Sequence, residues 1–168
     1  MRQLWAPWRM SYIGAEPASK GCIFCEKAAS SADESNLVLL RGDHCYALMN
    51  IFPYNNGHLM IAPYAHQPTI LELDADTLTE MMTVAQVCVR ACQAALGAQG
   101  FNIGINQGLV AGAGITDHAH MHVVPRWGGD TNFMPVLADV KVMPDFVENT
   151  YRQLREQLAL GEPAPEQP

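Results

Sequence analysis

The segment TDHAHMHVVPRW, residues 116–127, sets His118, His120 and His122 at alternate positions in a chain that has only six histidines. Positions i, i+2 and i+4 share a face in a strand but not in a helix. Val123 and Val124 favour a strand and Pro125 is expected to end it. The spacing therefore predicts three imidazoles on one side, with Ala119, Met121 and Val123 on the other. Two chemistries use such a line. Neutral imidazole is a zinc ligand, and alternate strand residues about 6.6 Å apart allow two rings to meet at one ion. Alternatively one histidine acts as a nucleophile while its neighbours orient it and donate to the substrate. The structural alternative is three histidines merely solvated on a surface strand.

A second group with chemistry is Cys22 and Cys25 in GCIFCEK. A lone C-x-x-C reads as half a zinc site, a redox pair or two buried thiols. No thioredoxin-like strand precedes it, which argues against redox chemistry. Zinc requires two more ligands from elsewhere. His44, Cys45, Cys88 and Cys92 read as structural or exposed. Arg126 reads equally as a phosphate contact or as the partner of an acidic neighbour. Trp5, Trp8 and Trp127 suit either a base or packing of the arm or a dimer.

These residues need a frame. NLVLL, CYALMN and HLMIAP read as strands, separated by RGD and by FPYNNG, whose Pro, Asn and Gly content is turn chemistry. SSADESNL reads as a loop. From Asp74 the period lengthens to about 3.6, and Leu78, Met81, Met82, Ala85, Cys88, Val89, Cys92 and Leu96 form one helical stripe. Asp74 suits its N-cap and Gly97 its end. FNIGIN resumes the strand period, and a glycine-containing loop leads to the histidine strand. A last helix is expected from about Pro144, burying Val147, Tyr151, Leu154 and Leu158. Five strands and two helices in this order predict an α+β fold, an antiparallel sheet with helices on one side. Residues 1–20 read as an extended arm, 21–160 as the domain and 161–168 as a disordered Pro-rich tail.

Composition narrows the function. Hydrophobic residues make up 49% of the chain and charged ones 16%, below the usual quarter or so. So apolar a surface predicts a homodimer. A net charge of −7 argues against broad contact with nucleic acid but leaves room for a small phosphate ligand held by local donors. No apolar run reaches the roughly 18–20 residues that cross a bilayer, and MRQLWAPWRM has no signal-peptide core. With an odd five cysteines, the expectation is a cytoplasmic protein.

HAHMHVV matches the His-φ-His-φ-His-φ-φ signature, φ being apolar, of the histidine triad (HIT) nucleotide hydrolases and transferases. NIFPYNNGHLMIAP resembles that family's Asn-to-Gly-His segment, with Asn50 eight residues before His58. VVPRWGGDTNF is similar to the branch acting on diadenosine tetraphosphate, bacterial phosphorylases included. The resemblance implies a HIT-like fold with a five-stranded antiparallel sheet and two helices, dimeric, performing a two-step displacement at an α-phosphate. It assigns His120 as the nucleophile, forming a nucleotidyl-histidine, with a carbonyl expected on its other ring nitrogen. His122 and His58 would bind phosphate oxygens, and Asn50 the ribose hydroxyls. Loop 108–114, with Gly112 and Gly114, would offer backbone N–H groups to phosphates. Related hydrolases carry Gln or Ser three or four residues before the first histidine. Gly114 and Ile115 stand there instead, so Thr116 or Asn106 is the substitute and phosphate as well as water is admitted as acceptor. Relatives with an N-terminal C-x-x-C complete a structural zinc site with two histidines, here His66 and His118. The alternatives are a hydrolase of nucleoside phosphoramidates or adenylyl conjugates, and a non-catalytic zinc-containing nucleotide sensor.

Overall fold

The computed structural model describes residues 21–138 and 142–161. The expected arm, residues 1–20, and residues 162–168 of the expected tail lie outside them. The elements are α1 (Ile23–Ala29), α2 (Asp33–Asn36), β1 (Val38–Arg41), β2 (Cys45–Met49), β3 (Leu59–Pro63), α3 (Ala75–Leu96), β4 (Gly100–Ile105), β5 (Met121–Arg126), α4 (Met134–Ala138) and α5 (Val147–Gly161). The five strands form one antiparallel sheet in the order β1-β2-β3-β5-β4.

Period-two patterning divides the sheet's faces. Cys45, Ala47 and Met49 of β2, Leu59 and Ile61 of β3, and Met121 and Val123 of β5 are buried against the two long helices. Helix α3 begins where the Asp74 carboxylate accepts the Thr77 N–H at 2.7 Å, and it ends at Gly97, whose φ of 62° lets its N–H reach the last carbonyls. Of the predicted stripe, Met81, Ala85, Cys88 and Cys92 are buried, but Met82 is 53% exposed. It sits beside Met81, a helical step of about 100° away, and so falls off the stripe's edge. Helix α5 starts at Val147 rather than Pro144. It is tied to β1 by two side chains: the Tyr151 hydroxyl donates to Val38 O at 3.1 Å and Arg155 donates to Leu39 O at 2.6 Å. Leu154 is fully buried between them.

The other face differs from the one-sided expectation. There Val38, Tyr46, Leu48, Met60 and Ala62 pack around Phe24 of α1. Helix α1 has no side-chain cap and only two turns, so no period announces it. Burial of Phe24 and a 2.7 Å bond from the Tyr46 hydroxyl to Phe24 O hold it down. The segment read as a loop also contains a helical turn, α2, closed by Leu37 at φ 57° where a glycine would have signalled a C-cap.

Pro125 does not end β5. It pairs with Phe101 inside the strand. Its carbonyl accepts from Asn55 Nδ2 at 2.9 Å, on the side away from β4. The nitrogen of a strand residue faces the same side as its carbonyl. Pairing with β3 has already stopped at Val123, so the missing N–H breaks no ladder bond. Among the described residues no helix is long and apolar enough to cross a membrane.

Candidate active site and metal centre

Pairing of β3 with β5 sets Met60 opposite His122, and His58, just before β3, comes beside it. Of the three histidines only His122 lies within β5, which begins at Met121. His118 and His120 occupy the approach to the strand, so the line of rings bends. The ring of His120 meets that of His122 edge-on at 4.9 Å, whereas His118 turns towards His66. All three, and His58, are buried.

Backbone groups set the proton on each ring. A carbonyl only accepts and a backbone N–H only donates. His120 Nδ1 lies 2.8 Å from the carbonyl of His118, so it carries the proton and Nε2 keeps its lone pair. Burial pushes the pKa of His120 down, partly offset by that carbonyl, which favours the neutral ring. His58 Nδ1 accepts the Tyr54 N–H at 3.0 Å, with the Asn50 amide 3.3 Å away. His58 Nε2 therefore bears the proton and donates to His122 Nδ1 at 2.9 Å. His122 is left with its proton on Nε2. Two neighbouring rings, 4.9 Å apart, thus carry a free lone pair on His120 and an N–H on His122, an arrangement that can serve attack and charge stabilisation.

His118 is turned to different partners. Its Nε2 donates to Pro63 O at 2.9 Å, freeing Nδ1, which lies 3.3 Å from Cys22 Sγ, 3.7 Å from Cys25 Sγ and 3.3 Å from His66 Nδ1. Cys25 Sγ is also 3.3 Å from His66 Nδ1. A tetrahedral zinc with ordinary bond lengths implies ligand separations of about 3.3 Å for N–N and about 3.5 Å for S–N. The four ligand atoms, all within 4.8 Å of one another, match a metal's first coordination sphere. Desolvation and the adjacent Cys22 push the Cys25 thiol up, the shift a bound cation reverses. The carbonyl on His118 Nε2 is the outer partner that metal-bound imidazoles use.

The remaining predicted residues are distributed as follows. Asn50 is buried at the end of β2, and its Oδ1 accepts the Phe52 N–H at 2.9 Å. Asn106, Gly112, Gly114 and Thr116 lie on the loop between β4 and β5, with Gly114 and Thr116 exposed and Gly112 at φ 84°. Arg126 pairs with Asp130. Trp127 packs against the main core and donates its indole N–H to Leu96 O at 3.1 Å. Trp5 and Trp8 lie outside the described residues. Sequence reasoning missed Phe24, whose ring lies 4.7 Å from that of His120 and 5.1 Å from that of His118. It also missed Asn55 and Asp130, joined by a 2.8 Å hydrogen bond. The acid four residues after Arg126 was the one available signal.

The family description "HIT domain" matches residues 32–129. The chain is 38% identical over 162 residues to an "AP-4-A phosphorylase" of Mycobacterium tuberculosis, covering 92% of this chain and 83% of that protein. It is 30% identical over 105 residues to "Adenylylsulfatase HINT3" of Arabidopsis thaliana, covering 62% of this chain and 52% of that one. Its fold is similar to that of a "ZN-bound histidine triad family protein" from Mycobacterium smegmatis. There the TM-score is 0.67 at 32% identity, with 83% of this chain and 94% of that one covered.

Proposed function

This chain belongs to the HIT domain family, and from that premise we propose that it is a dinucleoside polyphosphate phosphorylase working through a nucleotidyl-histidine. The observation that carries the reading is the proton arrangement: His120 Nε2 has a lone pair because the His118 carbonyl holds the other nitrogen. On diadenosine tetraphosphate, Nε2 attacks an α-phosphorus. The N–P bond forms as the P–O bond to the remaining phosphates breaks, and ATP leaves. Inorganic phosphate then attacks the same phosphorus, the N–P bond breaks, and ADP is released. His122 Nε2–H donates to the non-bridging oxygens as negative charge gathers there, and His58 backs it.

Asn50 would bind the ribose hydroxyls, with Ile51 and Phe52, 56% and 66% exposed, offering an apolar platform for the base. Asn106, Gly112, Gly114 and Thr116 would meet the phosphates from the loop between β4 and β5, where a Cβ at Gly114 would touch nothing within 4 Å. The similarity to the mycobacterial "AP-4-A phosphorylase" supports phosphate over water as acceptor.

Zinc is the metal the second cluster fits, two thiolates and two imidazoles in a closed tetrahedral set. Cys22, Cys25, His66 and His118 would hold it. A metal there supplies structure, fixing α1 and the strand approach, and takes no part in the displacement. The protein acts as a cytoplasmic homodimer in this reading. Strand β4 is an edge of the sheet, carries no charged residue, and exposes Ile103, as an edge awaiting a partner does.

Product analysis tests the function. Purified protein, diadenosine tetraphosphate and phosphate should yield ADP and ATP, with no turnover when phosphate is omitted. AMP and ATP irrespective of phosphate would make it a hydrolase. Turnover of adenylyl sulfate but not of the dinucleotide would favour adenylyl conjugates, the reading that the adenylylsulfatase relative supports.

A further inference from the structure

The turn at residues 52–57 between β2 and β3 is held more firmly than a surface loop requires. Asn55, 4% exposed, uses its amide protons on Pro125 O at 2.9 Å and Asp130 Oδ2 at 2.8 Å. Its backbone carbonyl accepts the His58 N–H at 3.2 Å. The Asp130 carboxylate in turn accepts from Nε and Nη2 of Arg126, one edge of the guanidinium, and from the Trp127 N–H. Arg126 is steadied by Asn102 Oδ1 of β4 at 2.8 Å. A chain of hydrogen bonds therefore runs from the far end of β5, through Asn55, into the turn that carries the Tyr54 N–H.

That N–H and the Asn50 amide, whose Oδ1 is held by the Phe52 N–H of the same turn, together decide the His58 tautomer. If the turn slackened and both withdrew, His58 could carry its proton on Nδ1 instead. Nε2 would then accept, His122 Nδ1 would have to donate, and His122 Nε2 would present a lone pair rather than an N–H. Two lone pairs would face an incoming phosphate, and the oxygens would lose a donor. The rings would scarcely move.

We propose that Asp130 and Asn55 are positioning residues that fix the proton arrangement of the His58–His122 pair by clamping this turn to the end of β5. The proposal deepens the catalytic reading, on which the role of His122 as phosphate donor rests. Its structural half concerns ring protons and needs no substrate.

The test uses the full chain with 15N-labelled histidine, reading ring-nitrogen shifts by long-range 1H–15N correlation alongside steady-state kinetics. The wild type should show His58 and His122 each as a single Nε2–H tautomer. Asn55→Ala and Asp130→Ala should show mixed tautomers, with kcat lower by about 10- to 100-fold and KM within about twofold. Asp130→Asn, which keeps an acceptor for Asn55, should recover most of both. Single tautomers in folded Asn55→Ala would overturn the proposal, and so would a loss of kcat without tautomer mixing. If Asp130→Ala does not fold, Asn55→Ala decides alone. A wild type inactive on diadenosine tetraphosphate would count against the substrate while leaving the tautomer result standing.

Discussion

Replacing Gly57 by alanine should destabilise the protein more than the same change at Gly97, although the two glycines have nearly equal backbone angles. Gly57 has φ 69° and Gly97 has φ 62°, so each alanine bears the left-handed cost of about 1–2 kcal/mol. The surroundings differ. A Cβ at Gly97 meets nothing within 4 Å, whereas at Gly57 it would lie 2.7 Å from Leu96 Cδ1 and 3.3 Å from Pro125 Cγ. Leu96 can swing, but the pyrrolidine ring sits in β5 and cannot turn aside, so overpacking adds about 1–3 kcal/mol. At about 2.1 cal/mol/K per residue over 168 residues, the unfolding entropy is about 0.35 kcal/mol/K. Gly97→Ala should then lower Tm by about 3–6 °C and Gly57→Ala by about 6–14 °C. Thermal unfolding by circular dichroism or calorimetry reads both. Because Gly57 precedes His58, its variant should also lose kcat, and Gly97→Ala should not. Equal Tm values for the two variants, or a Gly57→Ala enzyme of full activity, would refute the claim that this turn is wedged against β5.

Other outcomes follow from the site and its supports. His120→Ala should lower turnover by roughly 10⁴-fold or more while nucleotide still binds, because the binding groups lie elsewhere; calorimetric titration with a non-cleavable dinucleotide separates the two effects. Elemental analysis should find one zinc per chain, and Cys22→Ser should abolish it and lower Tm; undiminished stability after metal loss would mean the cluster is not structural. Glu80 accepts the N–H groups of Asp43, His44 and Cys45 at 2.6–2.8 Å, so Glu80→Gln should cost about 1–3 kcal/mol in urea denaturation. Burial raises the Glu80 pKa, but those three donors outweigh it and the net shift is downward. Its contribution is therefore complete above the ordinary glutamate pKa and fades as pH falls through the lower folded value. Wild type and Glu80→Gln should accordingly converge in stability under acid, and a gap that persists there would exclude the ionised carboxylate as the cause.

Long elements were legible because burial writes its period into the chain. Asp74 and Gly97 bracket α3 as their capping chemistry predicts, and the short unbroken apolar runs CYALM and LMIAP mark strands buried on both faces. Short elements were not. Helix α1 lacks both a cap and a stripe, and its reasons for existing are Tyr46, distant in sequence, and a cluster that joins Cys22 to His118. Pro125 misled for a related reason. Whether a proline ends a strand depends on which side its nitrogen faces, and that is decided by where the neighbouring strand stops.

For the site, residue types and spacing were enough to single out the histidine line and the C-x-x-C as candidates, since each chemistry demands particular atoms and those atoms are visible as letters, whereas Asn50 entered only through the family resemblance. The sequence by itself determined the available donors, acceptors and thiols, and the sheet that would carry them. Only the tertiary structure decided which backbone groups meet the histidine rings. Which nitrogen of each ring holds the proton depends on the carbonyl of His118, the carbonyl of Pro63 and the N–H of Tyr54. Every residue has such backbone groups, so no side-chain pattern records which of them will meet a ring. Folding alone brings them there.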